Sequence, residues 1–344
     1  MKYIDTAFHA ELGKSQLRPG DLVIVRTGEP GTAALIPDDL GEMNCSDLVV
    51  ATPGPEVDAR FLCYAINETA QDFVKAHTVG AVQQHFNVRS AKELELSLPP
   101  LSVQRALGEV LGALDDKIVV DQRIATIADS MCDLIFQSHA QQHTSVPMSQ
   151  LLQPILGGTP DRKDESYWGG SVPWASAKDV VNATAGVLTS TEEHITEAAT
   201  QNSRAKTLRP GSVVLTARGT VGAVARLSMP AAINQSCYAF EPGRVPAAVL
   251  FHMVRSASKS MLGMAHGTVF STVNMKTFDH VEIPDFPADV LDRLNGDLES
   301  LHQLIVSQLM ESRNLAALRD TLLPQLMSGR LRVRDAEKIV EDAT

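Results

Sequence analysis

Residues 17–31 read LRPGDLVIVRTGEPG, and residues 208–222 read LRPGSVVLTARGTVG. Setting Ile4–Ile36 against Ile195–Leu227, an ungapped offset of 191, gives 10 identical pairs in 33. They include the contiguous LRPG, Val23/Val214, Gly28/Gly219, Gly31/Gly222 and Ala34/Ala225. With small shifts the match continues through Asn44/Asn234, Gly80/Gly267, Val82/Val269, Asn87/Asn274 and Pro99/Pro284. Two turns alike by chance would not keep their order over a whole segment, so the chain reads as a tandem repeat. Each repeat carries an LRPG turn, an apolar strand and a Gly-x-x-Gly loop, a rigid hairpin-like platform. Its glycines permit positive φ or the close approach of another backbone.

Outward from the repeat, each copy ends where a long helical pattern begins. Between Pro99 and Ala140 two prolines fix a helix start, where a missing N–H costs nothing. Apolar or small residues then recur at 3/4 spacing through Leu107, Leu111, Leu114, Ile118, Ala125, Ala128, Cys132 and Ile135. Asp121 interrupts that seam, and a second stripe runs through Val103, Val110, Ile124, Met131 and Leu134. At 1.5 Å per residue such a helix is roughly 60 Å long. The pattern returns from Pro287 to Gly329 through Leu291, Leu294, Leu298, Leu301, Ile305, Leu309, Leu315, Leu318 and Leu322, with a kink or interruption expected at Pro324. Short β-like runs fill the segments between: Leu22–Val25 and Leu48–Ala51 in the first copy, GSVVLTA, VGAVARL and CYAF in the second.

A chain of 344 residues, 44% hydrophobic and 21% charged, has room for two or three domains with cores. No apolar run approaches the roughly 18–20 residues that span a bilayer, and the N-terminus has no apolar signal region. Cys45, Cys63, Cys132 and Cys237 form no CxxC pair, which fits a reduced cytoplasm. The formal net charge of −11 argues weakly against a nucleic-acid partner. Its distribution is uneven: basic against acidic residues number 8 to 14 over 1–99, 3 to 6 over 100–144, 12 to 11 over 145–286 and 7 to 10 over 287–344. The second mixed segment is therefore slightly basic, while both helices are acidic and better suited to protein partners.

Catalytic signatures are absent from the sequence: no GxxxxGK[ST], no dinucleotide-binding glycine fingerprint, no HExxH and no GxSxG. His139 and His143 read as surface histidines, and no metal site is expected. Asp115 and Asp116 are adjacent and point apart on a helix, so they form no carboxylate pair. DRKDE, Asp161–Glu165, reads as a solvated loop. What remains is the pair of glycine loops, with Arg26 and Thr27 in one and Arg218 and Thr220 in the other, side chains that can reach base edges or phosphates. The plain alternative is a β-turn with a solvated arginine.

The motifs resemble those of the specificity (S) subunit of type I restriction–modification systems. In the second copy the matching residues are GGTP (157–160), VPW (172–174), ITE (195–197), LRPG (208–211), ARGTVG (217–222) and INQ (233–235). In the first they are LRPGDLVIVRTGEPG, NCSDLV (44–49), GAVQQHFNV, LPPLSVQR and LGALDDKI, and near the C-terminus LRDTLLPQLMSGRLRV (318–333). The resemblance implies an α+β chain in which two target recognition domains alternate with two long helices that pair as an antiparallel coiled coil. Its expected segments are recognition domain 1 over 1–98, a central helix over 99–142, recognition domain 2 over 143–286, a C-terminal helix over 287–329 and a tail over 330–344.

Function follows from the same resemblance. Each recognition domain reads one half of a bipartite site in double-stranded DNA, and the helices act as the spacer. Two modification subunits methylate adenine with S-adenosylmethionine, and restriction subunits use ATP and Mg. This chain, cytoplasmic and with no membrane contact, holds no cofactor and is no enzyme. Candidate DNA-binding residues are Arg26, Thr27, Gln83, Gln84 and Arg89 in the first copy and Lys178, Arg218, Thr220, Ser271 and Lys276 in the second. Arg89 aligns with Lys276. The competing reading is a coiled-coil protein-interaction scaffold without sequence-specific DNA binding, which net acidity favours. One asymmetry stands out. About fifty residues, Ser145–His194, precede ITE in the second copy, against Met1–Tyr3 before Ile4 in the first, so GGTP, Tyr167–Trp168 and VPW have no first-copy counterpart and domain 1 is expected to be short.

Overall fold

A computed structural model describes residues 3–77, 86–265 and 272–343. In chain order the elements are α1 (Thr6–Glu11), β1 (Leu22–Val25), β2 (Ala33–Leu35), β3 (Leu48–Ala51), α2 (Ala59–Thr69), α3 (Gln71–Ala76), α4 (Val88–Lys92) and α5 (Leu101–Ala140). Next come β4 (Ser145–Pro147), α6 (Met148–Leu151), β5 (Ile155–Leu156), β6 (Trp168–Ala175), α7 (Ala177–Val181), β7 (Val187–Leu188), β8 (Glu193–Ile195) and α8 (Glu197–Asn202). The chain closes with β9 (Val213–Thr216), β10 (Val224–Leu227), β11 (Ala232–Ile233), β12 (Cys237–Phe240), α9 (Ala247–Ala265), β13 (Glu282–Pro284), α10 (Ala288–Met327) and α11 (Val333–Glu341). It divides into two compact units, residues 1–118 with 314–344, and residues 119–313.

In the first unit β1 is the centre of a three-stranded antiparallel sheet, order β2-β1-β3. One face of the sheet packs on α2 and α3 around Leu22, Ile24, Val49, Ile66, Val74 and Phe86. Helix α2 starts where Asp58 leaves extended backbone and its carboxylate accepts from the Phe61 N–H, a side-chain cap on an otherwise unpaired donor. A second cluster joins Phe61 and Ala65 to Leu107, Leu111 and Leu114 of α5 and to Leu315, Leu322 and Leu326 of α10. Ala336 and Val340 of α11 close this cluster, so the segment expected as a tail carries a helix with an apolar face. Helix α10 runs on through Pro324 and stops at Met327, without the interruption expected there. The proline costs one hydrogen bond, the one its own nitrogen would make to the Asp320 carbonyl, and Leu322 and Leu326 on either side of it stay packed in the core.

The second unit contains the same sheet and adds to it. β10-β9-β12 repeats β2-β1-β3 in the same register: Leu22↔Leu35 corresponds to Val213↔Arg226, and Leu22↔Ala51 to Val213↔Phe240. β5 and β7 extend this sheet on either side, giving the order β5-β12-β9-β10-β7. A separate sheet, β11-β6-β8, stands beside it around Trp174, Ile195, Ala199 and Ala205. The main core runs from the sheet through α9 to Cys132 and Phe136 of α5 and Leu291, Leu294 and Leu298 of α10. Ala125 and Ala128 pack with Ile305 and Leu309.

The long helices are both 40 residues. Their contacts run oppositely in number, 107–114 against 315–326, 125–128 against 305–309 and 132–136 against 291–298, so the two pack antiparallel. The seam expected along α5 is the buried one, and Asp121 within it is fully buried. Of the second stripe Val110 is buried, while Val103, Ile124, Met131 and Leu134 face outward.

Candidate nucleic-acid interface

The hairpin loop after the central strand is built alike in both units. In the first, the Gly31 N–H donates to the Val25 carbonyl and the Val25 N–H to Thr32, both at 2.9 Å. In the second, Gly222 N–H to Thr216 O and Thr216 N–H to Ala223 O repeat those bonds at the same 2.9 Å. Gly31 and Gly222 sit at φ +89° and +91°, the left-handed region that side chains avoid. A Cβ there would also meet a helix: Val74 at 2.6 Å in the first unit, Leu262 at 2.9 Å in the second. The Gly-x-x-Gly spacing therefore fixes a loop pressed against a helix.

In the second unit three further segments join this loop. The Ala217 N–H donates to the Ser236 carbonyl at 2.7 Å, which ties the loop to the INQ turn between β11 and β12. The Val273 N–H donates to Ala217 O at 3.1 Å and brings in the segment that leads to Lys276. GGTP docks from the other side, with Gly157 N–H on Cys237 O and Gly158 N–H on Ile233 O. A Cβ on Gly157 would lie 2.1 Å from the Asn234 carbonyl oxygen, and one on Gly158 2.4 Å from the Arg204 backbone, so both positions require glycine for lack of space. The Trp174 indole N–H donates to the Gly158 carbonyl at 3.0 Å and pins the turn. The Thr159 hydroxyl donates to the Gln235 side-chain oxygen across the two loops.

On this end of the sheet Arg218 and Thr220 are exposed, and Arg218 makes no hydrogen bond or ion pair among the described residues. Lys276 is exposed on a short 3-10 turn capped by Asn274. Lys178 lies on α7, which starts just after Ala175, whose carbonyl receives the Asn234 N–H. Its ammonium is 2.8 Å from Glu192. Thr159 and Gln235 are the side chains that sequence reading left off the candidate site. Their motifs were visible, but nothing in the sequence says that residues 76 positions apart meet. DRKDE is an exposed loop, as expected, and it is also anchored. The Arg162 guanidinium lies 3.8 Å above the Trp168 ring and forms a two-pronged pair with Glu193, which holds that carboxyl below its usual range.

The first unit's loop carries different chemistry on the same backbone. Arg26 stands where the second copy has Ala217, and Thr27 where it has Arg218. Both side chains turn to Asp47: the Thr27 hydroxyl donates to it at 2.6 Å and the Arg26 guanidinium lies 3.5 Å away. Asp47 has φ +58°, a left-handed conformation between the turn and β3, and by sheet register its counterpart is Ser236. Arg89 is on α4, exposed and 3.4 Å from Glu93. Asn87 and Asn274 cap equivalent turns, so Arg89 and Lys276 do occupy matching places. Gln83, Gln84 and Ser271 lie outside the described residues.

Comparison with known proteins gives this geometry a family. Residues 148–288 match the family model of the type I restriction modification DNA specificity domain. This segment is similar to that family's specificity domain. The chain is 30% identical over 131 residues to the type I restriction enzyme MjaIX specificity subunit of Methanocaldococcus jannaschii, covering 37% of this chain and 30% of that one. To the type I restriction enzyme HindI specificity subunit of Haemophilus influenzae it is 24% identical over 188 residues, 54% of this chain and 40% of that one. The matches thus span well under half of these relatives' own lengths. In fold, the chain is similar to the type I restriction–modification S subunit from M. genitalium, with a TM-score of 0.56 at 16% identity over 91% of this chain and 84% of that one. The matched segment begins with the β-rich residues that precede ITE. Among the described residues no helix is long and apolar enough to cross a membrane.

Proposed function

We propose that this chain is the DNA-recognition subunit of a type I restriction–modification complex, non-catalytic itself. Each copy of the repeat reads one half of a bipartite site in double-stranded DNA. The observation that carries the reading is the end of the second unit's sheet, where the matched specificity domain exposes Arg218, Thr220 and Lys276 on loops held rigid by backbone hydrogen bonds. An unpaired guanidinium on a fixed turn is suited to bidentate contact with guanine or to a phosphate. Two modification subunits, which supply S-adenosylmethionine-dependent adenine methylation, dock on the long helices. Restriction subunits with ATP and Mg complete the assembly. The outward-facing Ile124, Met131 and Leu134 support a protein partner along α5.

The first copy is the weaker reader under this proposal, because its arginine and threonine are engaged by Asp47. The experiment is to map adenine methylation in cells carrying this chain with its modification partners. A single bipartite motif, lost on Arg218→Ala, is the expected result, and a steep salt dependence of DNA binding should accompany it. Methylation with no sequence preference, or a flat salt titration, would favour the protein-interaction scaffold. Inserting helical residues into both long helices is expected to change the spacer and leave the half-site sequences alone.

A further inference from the structure

Away from the loops, three helices of the second unit bring nitrogen and sulfur donors to one buried point. α5 contributes Cys132, α9 contributes His252 and α10 contributes His302, and their donor atoms all lie within 4.8 Å of one another. Each residue is at most 1% exposed. The two imidazoles face each other through Nε2, 2.9 Å apart. Nδ1 of His252 is 2.8 Å from the Asp133 carboxylate, which fixes that ring and directs its Nε2 lone pair toward the cluster. Asp133 is in turn held by Arg255 at 2.9 Å and Lys259 at 3.3 Å, while Phe136 and Phe251 wall the site.

The first unit shows what an ordinary polar node at this place looks like. The long helices repeat with an offset of 187, so Asp115 and Arg319 are the counterparts of His302 and Cys132, and Tyr64 of α2 is that of His252. There the Tyr64 hydroxyl donates to Asp115, which also pairs with Arg319 at 2.6 Å. That triad has donors facing a carboxylate and no nitrogen or sulfur lone pair to offer a cation, whereas the second unit's chain from Arg226 through His302 and His252 to Asp133 is satisfied only while His302 keeps its proton on Nε2. The second unit places two imidazole nitrogens and a thiol at the same place, a donor set that suits a borderline-soft cation.

We infer that Cys132, His252 and His302 form a zinc-class metal site that ties α9 of the specificity domain to the two long helices. Tetrahedral zinc, with bonds of about 2.0–2.1 Å to nitrogen, sets two imidazole nitrogens about 3.3 Å apart, so the rings separate by only a few tenths of an ångström. The three donors are buried beside one another, so a cation there would be coordinated out of contact with bulk water. The thiol loses its proton to solvent as the ion binds. The thiolate offsets one of the two charges of the ion, while Asp133 remains paired with Arg255 and Lys259. Three protein donors leave one position for a small ligand such as water.

Arg226 is the competing group. Its guanidinium is 2.5 Å from Nδ1 of His302, which makes that nitrogen an acceptor and puts the ring proton on Nε2. Metal binding requires the guanidinium to move to Glu299, already 3.6 Å away. The full chain, incubated with zinc and dialysed against metal-free buffer, should retain one zinc by atomic emission spectrometry. With cobalt it should show a thiolate charge-transfer band and visible bands of tetrahedral intensity. Cys132→Ser should abolish the charge-transfer band and weaken zinc retention at least tenfold. Arg226→Gln should bind zinc more tightly than the parent, whereas a purely structural role for Arg226 would leave zinc retention unchanged. A parent chain that keeps no zinc and shows no thiolate–cobalt band overturns the site, as does equal zinc retention by Cys132→Ser.

Discussion

The two copies of the repeat share a sheet down to its register and a loop down to its hydrogen bonds, yet present opposite surfaces. In the second unit Arg218 is exposed without a partner among the described residues. In the first, Arg26 and Thr27 are both drawn to Asp47, whose counterpart is Ser236. The sheets differ as well: β5 and β7 flank the second, while the first has three strands among the described residues. The lesson is that the backbone platform and the recognition chemistry are separable. Glycines and strand pairing hold the platform, whereas the loop position of the arginine and the residue in the neighbouring turn, Asp47 or Ser236, set what the loop's cation meets.

Four outcomes would sharpen or break this contrast. The largest effect is expected from Gly158→Ala, whose Cβ meets the Arg204–Ala205 backbone at 2.4–2.5 Å with nothing flexible to yield. A loss of about 3 kcal/mol in urea unfolding is expected, and a loss below about 1 kcal/mol would show that GGTP is not wedged there. Next, Arg218→Ala should lower affinity for the specific site by about 1–3 kcal/mol, measured by binding of the assembled complex. Arg26→Ala should cost less; an equal or larger cost would end the contrast between the loops. Asp47→Ser, which gives the first copy the second's residue, should raise non-specific affinity and steepen the salt slope by about 1. Arg89→Ala should be the mildest, with stability within about 0.5 kcal/mol of the parent because the side chain is 91% exposed.

Much of this was legible in the residues. The strands Leu22–Val25 and Leu48–Ala51 follow from short β-branched and aliphatic runs, and the helices between Pro99 and Ala140 and after Pro287 from 3/4 spacing and proline placement. The positive φ at Gly28, Gly31, Gly219 and Gly222 follows from glycines repeated at matched positions. Pro324 misled in that α10 continues past it, with Leu322 and Leu326 held in the core; DRKDE is the exposed loop expected, but its arginine also finds Trp168 and Glu193 from beyond the local sequence. Arg26 and Thr27 sit in a loop like that of Arg218 and Thr220, yet the offset of 191 sets Arg26 against Ala217 and Thr27 against Arg218, and the flanking strands keep that offset.

By itself the sequence determined the repeat, the pairing of a mixed segment with a long helix, and the loop that each copy presents. These are local matters, set by backbone conformational preference and by the period of apolar residues, and both can be read along the chain. Tertiary structure alone decided which arginine stands without a partner among the described residues, and that Cys132, His252 and His302 meet. Each of those depends on partners dozens to more than a hundred residues away. Electrostatic pairing and donor geometry are set by distance in space, and only the packed helices and sheets bring such residues within a few ångströms.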